Sequence, residues 1–406
     1  MNRRQFLQAS AVVPLLAGMA NVPAAFEIPR GEAMKAVVAG NTAFAIDLYR
    51  KLGQGPGNQF FSPFSVSAAL AMTSNGAANE TLAEMIKVLH LPADQAESNA
   101  GFAALTKKLH DEAAKGAFEL RIANALWGQS GFPFKNEFLS QIKTDYGAGF
   151  QTVDFGNPER ARSQINRWVE KQTKDKIKDL FPSGSINADT RLVLANAIYF
   201  KGMWLHQFKK SMTSDAPFYS NGESKKVPTM HQTARFGYAE GDDWQMLEMP
   251  YKNSTLVMNV VLPKSRDGLS AIEGRVNSEW LGSALQQLRP EEVIVSLPRF
   301  KATISYDLTK ILAAMGMGRA FSPSEADFSR MTSADRLMIG VVVHKAFVDV
   351  TEEGTEAAAA TGVGMRLAAA PVQQPPKVFN ADHPFAFVIR DTATGALLFA
   401  GRIVQP

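Results

Sequence analysis

Residues 337–361, LMIGVVVHKAFVDVTEEGTEAAAAT, decide how this chain folds, because a buried strand runs directly into a long segment of small residues. The part from 337 to 350 is a nearly continuous apolar run, which is typical of a strand covered on both faces. We therefore expect it in the middle of a large sheet. The segment that follows, 352–376, fits neither a core nor a tight turn, and unstructured segments of such length are usually functional.

The first half of that segment carries side chains small enough to enter a closed sheet. Residues 356–360 are far too few for a stable isolated helix. In an extended strand every second residue shares a face. The pattern therefore predicts a strand that slides between two existing strands. The positions that would face inward are Thr355, Ala357, Ala359 and Thr361, followed by Val363 and Met365.

The composition is that of an ordinary globular protein. The chain has 406 residues, 46% of them hydrophobic and 20% charged, which allows a large core. Its net charge of +4 is what remains of 43 basic and 39 acidic residues scattered along the chain, so we expect no nucleic-acid partner. The chain has no cysteine and its six histidines have no metal-binding spacing, so we expect no metal and no cofactor.

Residues 1–25 have the features of an export signal. An arginine pair at positions 3 and 4 is followed by a mildly apolar run, which resembles a twin-arginine signal, with Sec export as the alternative. Cleavage after Ala24 or Ala25 is expected to leave a mature protein in the periplasm or outside the cell. No later stretch is long and apolar enough to span a bilayer.

Helix signals dominate the first half of the chain and strand signals the second. Ser62 and Pro63 stand where the N-cap and the first residue of a buried helix belong, and Asn157 and Pro158 repeat this arrangement. We find no internal repeat and no linker poor in apolar residues. We therefore expect one α+β domain over residues 26–406. The predicted strands of the second half are residues 192–200, 255–262, 292–297, 337–350, 383–390 and 397–404.

Two polar residues interrupt otherwise apolar strands. Asn196 and His344 are expected to be buried, and a buried amide or imidazole costs free energy unless it finds a hydrogen-bond partner. They are expected to satisfy each other or the hydroxyl groups of Ser62 and Ser65. A hydrogen-bonded core position explains His344 better than a catalytic one.

Enzyme motifs are absent. The sequence contains no GxSxG elbow, P-loop, GxGxxG turn or HExxH helix, and the SxxK match at 140–143 lacks its companion elements. A secreted hydrolase is therefore the weakest alternative. The lysines at 171, 174, 176 and 178 are expected to form a solvated helix end, with polyanion binding as the other interpretation.

EEGTEAAAAT at residues 352–361 resembles the hinge of an inhibitory serpin. Further motifs resemble serpin motifs in serpin order. This resemblance implies an α+β serpin fold with three β-sheets, eight or nine helices and an exposed reactive-centre loop at about 354–376. Together with the export signal it suggests a bacterial serpin. The further motifs are FFSPFS at 60–65, NAIYFKGMW at 196–204, ADFS at 326–329, VHKA at 343–346 and ADHPFAF at 381–387.

The resemblance also implies a role for individual residues. The reactive bond is expected between Ala368 and Ala369, because Ala368 stands sixteen positions after Glu352, the spacing usual in inhibitory members. Arg366 and Leu367 are the alternative positions for the residue before the cut. The implied hinge is Gly354, Thr355, Glu356, Ala357, Ala358, Ala359, Ala360 and Thr361. The implied breach, where the loop first enters the sheet, is Glu352, Arg299 and Trp204, and the implied shutter beneath the sheet is Ser62, Ser65, Asn196 and His344.

As an inhibitory serpin, the chain would be a monomeric suicide substrate rather than an enzyme. A serine protease would cut the loop, the hinge would insert as a strand, and the covalent acyl-enzyme would be trapped. Alanines beside the cut favour an elastase-like or subtilisin-like protease with a small primary pocket. A cut after Arg366 would instead suit a trypsin-like enzyme, and one after Leu367 a chymotrypsin-like enzyme. The alternative is a non-inhibitory serpin that acts as a binding module or a plain substrate.

Overall fold

The Ser62-Pro63 pair begins a helix as the sequence predicts. In the computed structural model the Ser62 hydroxyl oxygen accepts a hydrogen bond from the Ser65 backbone N–H, at 3.1 Å, and Pro63 is the first helical residue. The Asn157 side chain caps a second helix in the same way.

The structure describes residues 30–116, 118–147, 149–334, 337–355 and 375–406. In these ranges no helix combines the length and apolar character needed to cross a membrane.

The described residues form nine α-helices, and short 3₁₀ and π turns lie at 210–212 and 313–321. The helices are α1 (Arg30–Leu52), α2 (Pro63–Ser74), α3 (Asn79–Leu89), α4 (Gln95–Ala114), α5 (Asn136–Tyr146), α6 (Pro158–Gln172), α7 (Leu269–Arg275), α8 (Ser278–Gln286) and α9 (Thr309–Leu312).

Most strands lie in the second half of the chain, as predicted. They are β1 (Gln59–Phe61), β2 (Phe118–Gln129), β3 (Gly149–Val153), β4 (Leu192–Met203), β5 (Ser214–Ser220), β6 (Glu223–Glu240), β7 (Trp244–Pro250), β8 (Leu256–Pro263), β9 (Arg289–Pro298), β10 (Phe300–Asp307), β11 (Val341–Val350), β12 (Gly354–Thr355), β13 (Lys377–Asn380), β14 (Phe385–Asp391) and β15 (Leu397–Ile403).

The strands belong to two hydrogen-bonded sheets. A six-stranded central sheet has the order β10-β11-β12-β4-β2-β3, and a nine-stranded sheet has the order β1-β15-β14-β8-β7-β6-β9-β13, with β5 paired to β6. The α+β class is confirmed. Where three sheets are expected, two of them are joined, because the 18-residue strand β6 pairs with β5 and β9 along most of its length and with β7 at its end.

The main core lies between the two sheets and around α2. All twelve residues of α2 are buried, so this helix has no solvated face. Phe60, just before it, stacks on Phe399 of β15 with 5.3 Å between the ring centroids. Because water cannot reach the first turn of α2, its polar groups must find partners in the neighbouring strands.

The central sheet is closed by a direct contact between β4 and β11. The two strands are parallel, and Val193–Tyr199 of β4 pair with Val341–Phe347 of β11. This confirms that the two apolar runs predicted from the sequence lie inside a large sheet. Past the end of this ladder the two strands separate, and the two residues of β12 lie between them.

Candidate functional site

At the end of the β4–β11 ladder, the two-residue strand β12 lies between β4 and β11. A turn from Thr351 to Gly354, closed by a 2.9 Å hydrogen bond, reverses the chain after β11. Thr355 then pairs with Val350 on one side and with Gly202 on the other, antiparallel to both strands. A longer strand in this register would replace one parallel ladder by two antiparallel ones, which are the more stable kind per residue.

Gly354 is the residue that permits this position of β12. Its backbone has a φ of +151°, a region that residues with a side chain rarely adopt. A Cβ atom at this position would lie 2.1 Å from the carbonyl oxygen of Gly202. The start of β12 therefore requires glycine for both conformation and space.

Glu352, in the turn before β12, is a buried carboxylate with a cationic partner. The Arg299 Nε donates a hydrogen bond of 2.8 Å to the Glu352 carboxylate, and the Arg299 Nη2 donates to the same oxygen. The Thr213 hydroxyl also donates to it. Burial alone would raise the pKa of the Glu352 carboxyl, but the hydrogen bonds from Arg299 and Thr213 outweigh burial and hold that pKa below its ordinary value.

Trp204 lies under the same turn. Its indole Nε1 donates to the Thr351 carbonyl at 3.0 Å, and its backbone N–H donates to the Glu353 carbonyl at 3.0 Å. Its ring stacks on Tyr251 with 4.6 Å between the centroids. The Tyr251 hydroxyl in turn lies 2.8 Å from the Thr355 hydroxyl, so the first inserted side chain has a partner on the core side.

His344 links the sheet to the helix beneath it. Its Nε2 accepts a 3.0 Å hydrogen bond from the Ser62 backbone N–H. Nδ1 must therefore carry the proton, which it donates to the side-chain oxygen of Asn196 on the neighbouring strand. Complete burial lowers the pKa of His344 to about 3, so the imidazole is neutral.

Ser65, Asn196 and Asn124 complete this cluster. The Asn196 amide nitrogen donates to the Ser65 carbonyl at 2.8 Å and to the Asn124 side-chain oxygen at 2.6 Å. The Ser65 hydroxyl donates to Asn124 as well, at 3.0 Å. The Ser62 hydroxyl donates to the Leu398 carbonyl at 2.6 Å. Sheet register places Asn124, Asn196 and His344 side by side on three adjacent strands.

Sequence reasoning missed Asn124, Thr213 and Tyr251. A signal existed for Asn124, because Ala-Asn-Ala occurs at 123–125 in β2 and again at 195–197 in β4. A polar residue in the same apolar context on two strands indicates that the two polar side chains lie next to each other in the sheet. Thr213 and Tyr251 lie in short connections, and nothing in their local sequence distinguishes them.

The structure thus places the two predicted groups as two separate clusters along the β4–β11 ladder, which we call the seam. Glu352, Arg299 and Trp204 lie at the end of the β4–β11 ladder, and Ser62, Ser65, Asn196 and His344 lie beneath its middle. Gly202 lies six positions after Asn196 in β4, about 20 Å at ~3.3 Å per residue. The predicted hinge residues 356–361, the candidate reactive-bond residues 366–369 and the export signal lie outside the described residues. Within the described ranges, no group of three or more acidic or histidine side chains suited to a metal ion is found.

Comparisons with known proteins agree on one family. The Serpin family model, described as serine protease inhibitor, matches residues 39–406. An uncharacterized serpin-like protein of Thermococcus kodakarensis is 43% identical over 373 residues, which cover 92% of this chain and 86% of that protein. The leukocyte elastase inhibitor of Bos taurus is 43% identical over 388 residues, covering 92% and 100%. The solved structure of Serpin48 from the insect Tenebrio molitor matches with a TM-score of 0.82 at 33% identity, covering 92% and 98%.

Acidification should weaken the protein through His344. The unfolded chain takes up a proton near pH 6.5, whereas the folded protein resists it until about pH 3. The free energy of unfolding should therefore fall as the pH falls between these values, by at most about 1.4 kcal/mol per pH unit from this one group. Urea unfolding of wild type and His344→Gln at several pH values measures this, and the gap between them should narrow in acid. The exposed His110→Gln is the control, and a gap independent of pH would contradict the prediction.

Substitution of Gly354 should expel β12 from the sheet. In Gly354→Ala the new methyl group meets the Gly202 carbonyl, so the backbone of residues 354–355 must move away. Hydrogen exchange of a peptide covering these residues should become at least about tenfold faster. Gly222→Ala is the matched control, because it also has a positive φ but open space around it. Unchanged exchange in Gly354→Ala would show that β12 tolerates a side chain.

Proposed function

The chain belongs to the serpin family, and we propose that it is an exported, monomeric inhibitor that traps serine proteases as covalent acyl-enzymes. One observation carries this proposal. Gly354 and Thr355 already lie between β4 and β11, antiparallel to both, at the point from which a longer strand would extend. The residues that would follow are small, as an entering strand requires.

The energy for trapping would come from completing the sheet. Insertion of the ten residues 356–365 would give the new strand hydrogen-bonding partners on both sides. At about 1 kcal/mol net for each backbone hydrogen bond, the gain is on the order of ten kcal/mol. This gain requires that the parallel β4–β11 ladder first open. The uncut protein would therefore persist for kinetic reasons.

The two clusters on the seam are proposed to control this opening. The hydrogen bonds of His344 and Asn196 tie β11 and β4 to α2, and these contacts must rearrange if the strands separate. The ion pair of Glu352 with Arg299 and the stacked Trp204 hold the turn from which insertion starts. We propose the first cluster as the shutter and the second as the breach.

The chemistry belongs to the protease. Its serine hydroxyl attacks the carbonyl carbon of Ala368, the bond to the Ala369 nitrogen breaks, and Ala369 leaves with a new amino terminus. The product is an ester between the protease serine and Ala368. Insertion then carries the protease away before water hydrolyses this ester, and the inhibitor supplies no catalytic residue. A small residue before the cut suits an elastase-like or subtilisin-like target, and one relative of the chain is named a leukocyte elastase inhibitor.

Export is proposed from the N-terminal sequence. The family model begins at residue 39, so the arginine pair and the apolar run lie outside the matched domain. The bovine relative is covered over its whole length by 92% of this chain, which leaves a part of the chain for a signal. We propose that residues 1–25 are removed and that residues 26–406 form one domain.

Trapping should depend on a small residue at position 355. Mixing the protein with elastase, subtilisin, trypsin or chymotrypsin should give an SDS-resistant band of combined mass with its target. Thr355 is fully buried, so an arginine there must bury a charge before the strand can advance. Thr355→Arg should slow insertion by at least about a hundredfold, since each 1.4 kcal/mol of barrier is tenfold in rate. The cut protein should then accumulate without the complex.

Thr233→Arg provides the matched control for that experiment. Thr233 is an exposed threonine of β6, so the same change there leaves the seam intact and the complex should form normally. Clean cleavage of the wild-type protein by every protease, without any complex, would reject the inhibitory function. It would leave the non-inhibitory serpin, a binding module or a plain substrate, as the function of the chain.

Mass spectrometry of both chain ends tests the cut and the export. The C-terminal peptide released on denaturing the complex should begin at Ala369, whereas a start at Leu367 or Ala368 would move the reactive bond to the alternative positions. Protein recovered from outside the cytoplasm should begin at Ala25 or Phe26. A mass that includes residues 1–25 would contradict export with cleavage.

A further inference from the structure

A cleft of about 330 Å³ lies between the turn that joins β6 to β7 and the helix α8. Gly241, Asp242 and Asp243 line it from the turn, and Arg275, the last residue of α7, lines it as well. The volume is at the lower end of the range for small-molecule sites, about 300–1,000 Å³. No residue of the seam lines the cleft, and the proposed trapping mechanism does not use it.

Trp244, the first residue of β7, brings a hydrogen-bond donor without a partner to this cleft. The residue is only 6% exposed, yet its indole N–H donates to no other residue that the structure describes. A Cβ atom at position 241 would lie 2.3 Å from the indole Nε1, so glycine at this position leaves space beside the donor. A buried donor without an acceptor costs free energy, which an oxygen atom of a bound molecule would recover.

Asp242 brings an acceptor to the same cleft. Its carboxylate is exposed and forms no hydrogen bond with any residue in the described ranges. The neighbouring Asp243 is already engaged, because the Arg275 guanidinium donates to it and thereby holds the pKa of the Asp243 carboxyl below its ordinary value. The cleft therefore contains two carboxylates and one guanidinium and is acidic overall.

Trp280 of α8 gives the cleft an aromatic wall. Its half-buried ring meets Trp244 edge to face, with 5.4 Å between the centroids. Gln287 and Ser283 add an amide and a hydroxyl group. The amide nitrogen of Gln287 donates to the Ser283 carbonyl at 3.3 Å and to its hydroxyl at 3.4 Å. These bonds are long, so both side chains can bind a ligand instead at little cost.

The combination of an unpaired donor and an unpaired acceptor decides the class of ligand. An ammonium or guanidinium group could donate to Asp242 but cannot accept from the Trp244 indole. A carboxylate or sulfate could accept from Trp244 but would be repelled by Asp242 and Asp243. A hydroxyl group both donates and accepts. A neutral molecule with several neighbouring hydroxyl groups therefore fits both sides.

We propose that this cleft binds a neutral hexose unit of a glycan, with a C–H face of the sugar ring against Trp280 and with hydroxyl groups on Trp244 and Asp242. The C–H face of a pyranose ring is apolar, so it loses unfavourable contact with water when it packs on an aromatic ring. The cleft has room for one ring, and the remainder of a longer glycan would lie outside it. The site is separate from the seam, and this inference does not rest on the proposed function.

A chemical-shift titration of the full protein tests the binding at the atom concerned. The chain has five tryptophans and hence five indole N–H signals, and Trp244→Phe identifies the signal of Trp244. The probes are the methyl glycosides of glucose, galactose, mannose and N-acetylglucosamine. At least one of them should shift the Trp244 signal saturably, with a Kd of about 1–10 mM.

Loss of the aromatic wall should weaken this binding. Trp280→Ala should raise the Kd at least about tenfold, because the sugar ring loses its apolar contact. Trp168→Ala is the matched control and should leave the Kd unchanged. Trp168 is also half-buried and also meets a second tryptophan, Trp127, edge to face, but it lies on α6.

Two further variants test the polar contacts. Asp242→Ala should weaken binding several-fold through the lost acceptor, whereas Asp267→Ala, at another exposed aspartate, should not change it. Gly241→Ala places a methyl group beside the Trp244 indole. It should weaken binding as well, and it replaces Trp280→Ala if that variant does not fold.

The results that overturn the proposal are separate from those that overturn trapping. Absence of a saturable shift with all four glycosides, or an unchanged Kd in Trp280→Ala, refutes the site. Tighter binding of ethylammonium than of any glycoside would assign the cleft to cations, and tighter binding of acetate or glucose 6-sulfate would assign it to anions. Either result refutes the neutral sugar. The yield of SDS-resistant complex should be the same in Asp242→Ala as in the wild type, so a failure of trapping leaves the binding result intact.

Discussion

The parallel ladder between β4 and β11 is the constraint on which the rest of the structure depends. It joins β4 and β11 directly next to the two-residue strand β12, which is antiparallel to both of them. The same backbone groups cannot pair with each other and with a new strand. The sheet therefore has two mutually exclusive ways to satisfy them, and the described arrangement is the one with fewer strands.

The polar cluster under the ladder shows why this arrangement is well defined. A neutral, buried His344, the buried Asn196 and the partly buried Asn124 lie side by side on three adjacent strands, and each has partners that fit its donors and acceptors. Removal of one partner leaves a buried polar group unsatisfied, at about 1–3 kcal/mol. A sliding movement of the strands has the same effect on several groups at once, so the cluster makes partial opening unfavourable.

The sequence predicted the parts of the fold and site that local chemistry determines. The Ser62 and Asn157 caps and the long apolar strands have direct signals. Asn196 and His344 have one as well, because polar residues in buried strands must find partners, here in each other or in the hydroxyl groups of Ser62 and Ser65. Thr213 and Tyr251 had no such signal, since they reach the site only through the packing of distant segments. The joining of two sheets through β6 also depends on pairing partners that lie far away in sequence.

The backbone pairing of Thr355 sets the position in the central sheet from which the residues after it can be counted. Because Thr355 is already paired on both sides, the register of any residue that followed it into the sheet would be fixed, and under the proposed mechanism the distance travelled would depend only on where the chain is cut. Ala368 lies 13 positions beyond Thr355, which corresponds to about 43 Å at ~3.3 Å per residue. From Gly202, the partner of Thr355, β4 runs ten further residues to Leu192, about 33 Å at ~3.3 Å per residue, so in this register Ala368 would lie three positions beyond the start of β4. Under the proposed mechanism, a cut one residue earlier would shorten the displacement of an attached protease by one residue of strand, about 3.3 Å.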